Sequence, residues 1–161
     1  MKIRHELSYD APPDEVFEML ADPWFRKAVT TAQDVVSAEV SLSREGDGFS
    51  LVVDQLQRTN GLPSFAKKFA GDTTRAVQRE AWPDASGGSL AIEAPGKPTS
   101  MAGTISLDAD GGGTREVVSL EIKVKVPLLG GKLEGLLADQ VRGGMDVEHG
   151  VGVAWLNGER G

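Results

Sequence analysis

The hydrophobic rhythm of the chain changes twice. Near its start, Ile3, His5, Leu7 and Tyr9 alternate with Arg4, Glu6, Ser8 and Asp10, a period of two that predicts a strand with one inward face. Asp10-Ala11-Pro12-Pro13 breaks it. Prolines suit a helix start, where the first N–H groups have no partner, so a short helix is predicted through Val16, Phe17, Met19 and Leu20, ending near Asp22-Pro23. A second short helical segment is expected over Trp24 to Thr31.

From Asp34 to Val126 the period returns to two, divided by turn signals. Val36, Ala38, Val40 and Leu42 alternate up to Glu45-Gly46-Asp47-Gly48, and Phe49, Leu51 and Val53 follow. The phase slips at Asp54 to Leu56, the mark of a bulge, and Asn60-Gly61-Leu62-Pro63 closes that strand. Ser64 to Ala70 reads as a short helix or an ordered loop. Thr73 to Trp82 is expected to be a strand despite its poor apolar phase. Ala85-Ser86-Gly87-Gly88 turns the chain into Leu90, Ile92 and Ala94, and Pro95-Gly96-Lys97-Pro98 leads to Met101, Gly103, Ile105, Leu107 and Ala109. Asp110-Gly111-Gly112-Gly113 is a hairpin signal, and Val118, Leu120, Ile122, Val124 and Val126 alternate after it.

The last segment, Pro127 to Asn157, has helical spacing. At about 100° per residue, Leu129, Leu133, Leu136, Leu137, Val147, Val151, Ala154 and Trp155 share one arc. Lys132, Glu134, Asp139, Arg142, Asp146, His149 and Asn157 fall outside it. The predicted order is one strand, two short helices, about six further strands and a long helix. Strands with one apolar face imply an antiparallel sheet covered on one side, and the terminal helix supplies the cover. An α+β fold in one domain, residues 1–161, is expected.

Composition narrows the class of partner. Hydrophobic residues make up 40% and charged residues 25%, an ordinary globular mixture. The 17 Lys and Arg against 24 Asp and Glu give a formal charge of -7. An acidic chain without a basic cluster argues against nucleic acid and anionic membrane surfaces. No apolar run approaches the ~18 residues of a membrane span, and no secretory leader pattern opens the chain. A cytoplasmic protein is expected. Without cysteine there is no disulfide, thiolate nucleophile or Cys-ligated metal.

The segment Ser8-Tyr9-Asp10-Ala11-Pro12-Pro13-Asp14-Glu15-Val16-Phe17 and the terminal helix resemble the START-like superfamily, also called SRPBCC after its polyketide cyclase and lipid-binding members. The resemblance implies the helix-grip fold, a curved antiparallel sheet of about seven strands wrapped round a long C-terminal helix with an apolar cavity between them. Ala94-Pro95-Gly96-Lys97-Pro98 and Lys125-Val126-Pro127-Leu128-Leu129-Gly130-Gly131-Lys132-Leu133-Glu134 more narrowly resemble a bacterial family within it, domain of unknown function 2505. These motifs are architectural and imply no catalytic residue.

The candidate chemistry is sparse. Gln140 sits at the centre of the helix's apolar arc with Gly144 one turn on. A buried amide must be hydrogen-bonded, and the missing side chain leaves room, so the pair reads as a polar handle in a cavity or as a packing detail. His5 and Tyr9 share the inward phase of the first strand and are the candidate acid–base groups; a structural role is the alternative. Trp24, Trp82, Met101 and Phe65 either line a cavity or build the core. Phe65 and Phe69 flank Lys67 and Lys68 on a segment that reads as a lid or as an edge helix. Asp146 and His149 stand three apart on the polar arc near Arg142, which reads as a surface ion cluster and not as a metal site. There is no phosphate loop, nucleophile elbow or dinucleotide fingerprint, and no cofactor is called for. Seven glycines lie between Gly130 and Gly152, and Gly143-Gly144 and Gly150 to Gly152 read as points where the helix kinks or swings to admit a ligand. Three functions fit: carriage of a small hydrophobic ligand, a cyclase or dehydratase using His5 or Tyr9, or a scaffold for another protein. The first is preferred.

Overall fold

Antiparallel pairing organises the chain into a seven-stranded sheet in the order β1-β7-β6-β5-β4-β3-β2. The computed structural model describes residues 1–59 and 61–160; Asn60 of the expected Asn60 to Pro63 turn lies outside them. The strands are β1 (Lys2–Tyr9), β2 (Ser37–Glu45), β3 (Gly48–Arg58), β4 (Thr73–Asp84), β5 (Gly87–Glu93), β6 (Thr99–Asp110) and β7 (Gly113–Val124). The helices are α1 (Pro13–Leu20), α2 (Pro23–Ala32), α3 (Ser64–Ala70) and α4 (Gly130–Leu156). The meander from β2 to β7 follows the turns read in the sequence, and β1 closes against β7 with Ile3 opposite Leu120 and Tyr9 opposite Thr114. Sheet and terminal helix form the expected helix grip.

Local chemistry sets the helix starts. Pro12 and Pro13 open α1, with Asp14 and Glu15 in its first turn, where the helix dipole favours acidic groups. Asp22 caps α2 by accepting a 2.9 Å bond from the Trp24 N–H, with Pro23 as the first helical residue. The segment Ser64 to Ala70 is a helix, α3. Pro127 to Leu129 form a turn, not the first helical turn, because Leu128 adopts a left-handed backbone, φ 67°; its side chain is fully exposed.

Two expectations are corrected. Asp54 to Leu56 hold no bulge: β3 pairs residue for residue with β4 from Phe49 opposite Trp82 to Arg58 opposite Thr73. The phase does not slip. Gln55 simply occupies an inward position after Val53, and a polar inward residue imitates a change of face. The register shift lies elsewhere, between Ala81 and Asp84 where β4 meets β5. The helix α4 is also turned relative to its predicted arc. Its buried residues are Leu133, Ala138, Met145, Gly152 and Trp155, centred roughly a quarter turn from the predicted stripe at 100° per residue. Val147, within that stripe, is exposed.

The core fills one end of the grip. Phe17, Phe49 and Trp82 pack with ring centroids 5.3 to 5.9 Å apart, and Phe25 meets Trp155 edge-on at 5.5 Å. A smaller cluster of Ala66, Val124 and Leu133 joins α3, β7 and the start of α4. Among the described residues no helix is long and apolar enough to cross a membrane.

Helical geometry runs unbroken from Gly130 to Leu156 despite seven glycines. At Gly152 the reason is steric: a Cβ would lie 2.8 Å from Tyr9 Cε1 and 3.0 Å from its hydroxyl, so the absent side chain lets the Tyr9 ring lie under the helix. Gly150 is exposed with nothing near its Cβ position. Gly150→Ala should therefore raise stability by up to about 1 kcal/mol through helix propensity. Gly152→Ala should lower it by about 1 kcal/mol or more through overpacking. Urea unfolding of the two variants checks this, and a gain in both would remove Tyr9 as a constraint on the helix.

Candidate functional site

Beyond the packed end, sheet and helix part. A cavity of about 610 Å³ lies between them, within the ~300–1,000 Å³ usual for small-molecule sites. The pairing rows explain its sheet wall. Val53, Gln78, Ile92 and Met101 follow one another across β3, β4, β5 and β6 as directly opposed residues, so their side chains share the inward face. All four line the cavity, and Leu133, Leu137, Val141 and Met145 of α4 supply the opposite wall. The apolar arc read in the sequence is thus partly a cavity wall: Leu133, Leu136, Leu137 and Val147 all line the space. This is why the arc and the buried face do not coincide.

The rim is polar and clasped. Asp34, Arg58, Phe69, Lys97 and Gln140 line the cavity with exposed side chains. Arg58 donates to the Asp34 carbonyl at 2.6 Å, and Lys97 donates to the Phe69 carbonyl. These bonds hold the segment after α2 to β3 and the turn before β6 to α3.

The inner end carries the charges. Arg26 of α2 is buried and four of its five guanidinium N–H groups are engaged. Nε donates to the Leu20 carbonyl at 2.7 Å and NH2 to Glu80 Oε1 at 3.1 Å. NH1 donates to Glu80 Oε2 at 3.2 Å and to Glu148 Oε1 at 3.0 Å. Glu80 also accepts from Trp82 Nε1 at 3.0 Å and Gln78 Nε2 at 2.6 Å. Burial opposes the charge on Arg26, but Glu80, Glu148 and Glu116 more than offset it and hold the pKa above its ordinary value. Glu116 of β7 is 3% exposed, and its Oε1 has no hydrogen-bond partner among the described residues. Burial, then the charges of Glu148 and Glu80, push its carboxyl up to about 8, with Arg26 pulling only partly the other way. Burial likewise raises Glu148. Two further buried atoms lack partners, Gln55 Oε1 and the Tyr9 hydroxyl. Gln55 lines the cavity, as do Arg26, Glu80, Glu116 and Glu148.

The residues singled out from the sequence divide. Met101, Gly144 and Gln140 line the cavity. Gln140 does so with an exposed side chain at the rim, not as a buried amide, because it lies where the helix leaves the core. Gly144 meets α2, its carbonyl accepting from Gln33 Nε2 at 3.0 Å. Trp24 is 69% exposed, and Lys27 Nζ stands 4.6 Å from its ring. Trp82 is core, stacked on Phe49. Phe65 packs on the Ala66–Val124–Leu133 cluster, and Phe69, its neighbour one turn on, reaches the cavity.

Trp24, Trp82 and Phe65 are therefore outside the wall. His5 and Tyr9 are also outside it. His5 Nε2 lies 2.7 Å from Asp146 Oδ1, on the seam of β1 and α4. Tyr9 is buried against His149, ring centroids 4.9 Å apart, and burial holds its hydroxyl well above the usual range. His149 Nε2 donates to the Ser8 carbonyl at 2.6 Å, so Asp146 and His149 engage β1 separately. Among the described residues no group of three His, Cys, Asp or Glu side chains could hold a metal ion.

Sequence reasoning missed Arg26, Glu80, Glu116, Glu148 and Gln55. The signal was present. Glu80 is in phase with Trp82, Glu116 with Val118 and Leu120, and Glu148 stands one turn after Gly144. Each is a charged residue at an inward position, the informative anomaly in an apolar face.

Comparison with known proteins follows this geometry. The family model described as Protein of unknown function (DUF2505) matches residues 4–156. An uncharacterized protein of Mycobacterium tuberculosis (strain H37Rv) is 26% identical over 161 residues, covering 92% of each chain. Among solved structures, the Zhui aromatase/cyclase from Streptomyces sp. R1128 superposes with a TM-score of 0.62 at 17% identity, covering 96% of this chain and 92% of that one. A START superfamily protein from Mycobacterium smegmatis gives 0.58 at 14% identity, covering 92% and 94%. The likeness is one of fold, the START-like helix grip.

The inner carboxylates give stability a pH dependence with a definite sign. Glu116 keeps its proton to about pH 8 in the folded chain, against an ordinary value of 4.5. The folded state therefore binds the proton more tightly, and stability is lost as pH rises from the unfolded towards the folded value. Glu148 shifts in the same direction. The stability of Glu116→Gln relative to the wild type should accordingly improve steadily from about pH 5 to about pH 8.5. Urea midpoints of both proteins across that range measure it; a constant gap would mean that Glu116 ionises as an ordinary carboxylate.

Proposed function

We propose that this chain, which belongs to the DUF2505 family, binds and carries a small hydrophobic molecule in the cavity between the sheet and α4. The observation that carries the reading is the cavity itself. Apolar side chains from β3 to β7 and from α4 surround about 610 Å³ that no side chain fills, although an unfilled apolar void costs stability in proportion to its size. A binding protein recovers that cost when its ligand enters. Polar groups at the rim and at the inner end stand where they would orient such a ligand, and Gln55 and Gln78 add polar atoms to an otherwise largely apolar sheet wall. The START-like fold supports the same reading, and the chain acts as one helix-grip domain.

An enzymatic reading of the cyclase or dehydratase kind has one observation in its favour. Glu116 is a proton-bearing carboxyl in the cavity wall, the kind of perturbed group on which acid catalysis relies. His5 and Tyr9 lie outside the wall and give that reading no support. The two readings differ in what leaves the protein: a carrier releases its ligand unchanged.

Native mass spectrometry of the freshly purified protein, followed by denaturation and analysis of what is released, tests the proposal. A bound apolar molecule is expected. Ala76, buried on β4 and lining the cavity, provides the control. Ala76→Phe should fill the space and abolish the adduct while circular dichroism stays unchanged. An adduct retained in that variant would place the ligand elsewhere and sink the reading.

A further inference from the structure

We propose that the inner end of the cavity is a cation site, which seats the ammonium of an apolar amine between Glu116 and Glu148. This deepens the ligand-binding reading above and rests on it. Three carboxylates, Glu80, Glu116 and Glu148, line the inner end beside one guanidinium, that of Arg26. The guanidinium is largely committed, since four of its five N–H groups already serve Leu20, Glu80 and Glu148. Glu80 is satisfied as well, with Arg26 and Trp82 on one oxygen and Arg26 and Gln78 on the other. What remains at Glu116 and Glu148 is acceptor capacity. Glu148 receives one bond, and buried Glu116 Oε1 receives none.

A buried acceptor of this kind costs free energy until something donates to it, and a buried carboxylate requires a positive partner. The groups acting on Glu116 from the packed elements are Arg26 of α2, Glu80 of β4 and Glu148 of α4, and Glu116 in turn acts on the Tyr9 hydroxyl of β1. Arg26 is the one cation among them. A proton therefore does the work in the free protein, and burial with the neighbouring carboxylates pushes Glu116 up to about 8. An ammonium can take the place of that proton and donate to Glu116 and Glu148 together. A carboxylate head group would meet three acidic side chains there and be turned away.

A second observation is independent of the cluster. Gln55, on β3, is 6% exposed and lines the same cavity with an unpartnered Oε1. The wall thus offers a further acceptor along the ligand's length. Gln55 Oε1 and Glu116 Oε1 both call for a donor. The basic side chains Arg58, bonded to Asp34, and Lys97, bonded to the Phe69 carbonyl, stand exposed at the rim.

Three probes with one apolar body separate the possibilities: 2-naphthylmethylamine, 2-naphthylmethanol and 2-naphthoate, titrated calorimetrically at pH 7. The amine should bind at least about tenfold tighter than the alcohol, as a charge-assisted bond is the stronger kind, and the naphthoate should bind weakest. Heats in buffers of different ionisation enthalpy should show about one proton released per amine bound, the linkage expected if Glu116 gives up its proton. Glu116→Gln should erase both the amine's advantage over the alcohol and the proton release. Glu148→Gln should reduce that advantage, and it supplies a second test if the first variant does not fold. Equal or tighter binding of the alcohol, or tightest binding of the naphthoate, would overturn the cation site while leaving the cavity a binding site. Binding of none of the three would overturn both.

Discussion

The arrangement depends on a single buried guanidinium. Arg26 joins the last turn of α1 through the Leu20 carbonyl, β4 of the sheet through Glu80, and the terminal helix through Glu148. Placing these charges out of water is expensive, and a buried ion pair is weak ground for net stability. It is strong ground for specificity, because any displacement of α2 or α4 leaves a carboxylate buried without its partner. The Phe17–Phe49–Trp82 stack beside it adds area and dispersion but little direction. The core holds the grip closed at one end, and Arg26 sets where α2 and α4 rest against the sheet.

That geometry accounts for the cavity. With α4 anchored at Glu148 and seated on Tyr9 through Gly152, its preceding turns are carried over the sheet without filling the space beneath. The second cluster, Ala66, Val124 and Leu133, secures the start of the helix. An element fastened at both ends can roof a void that local packing alone would collapse. The charges then face into the void, so the feature that fixes the helix also furnishes the polar end of the site. Structure and proposed recognition share the same four side chains.

Much of the fold was legible in the sequence because it rests on short-range rules. Prolines opened both early helices, glycine-rich turns divided the meander, and period-two alternation separated the sheet's faces. The site was less legible for the same reason. Gln55 on β3 was read as a slip in phase, and Glu80 blurred the phase of β4; both are inward polar residues facing a space. Local patterning assumes that inward means apolar. Trp24 and Trp82 illustrate the converse, since hydrophobicity proposed both for a cavity that neither lines.

The sequence by itself determined the elements, their order, the antiparallel meander and the amphipathic helix that covers it, since backbone preference and hydrophobic period act over a few residues. Tertiary structure alone decided the rotation of α4, the emptiness beneath it, and the meeting of Arg26, Glu80, Glu116 and Glu148 from four elements far apart in the chain. Those outcomes follow from long-range packing and from the electrostatics of buried charge. Both depend on which side chains meet, and no local period records that.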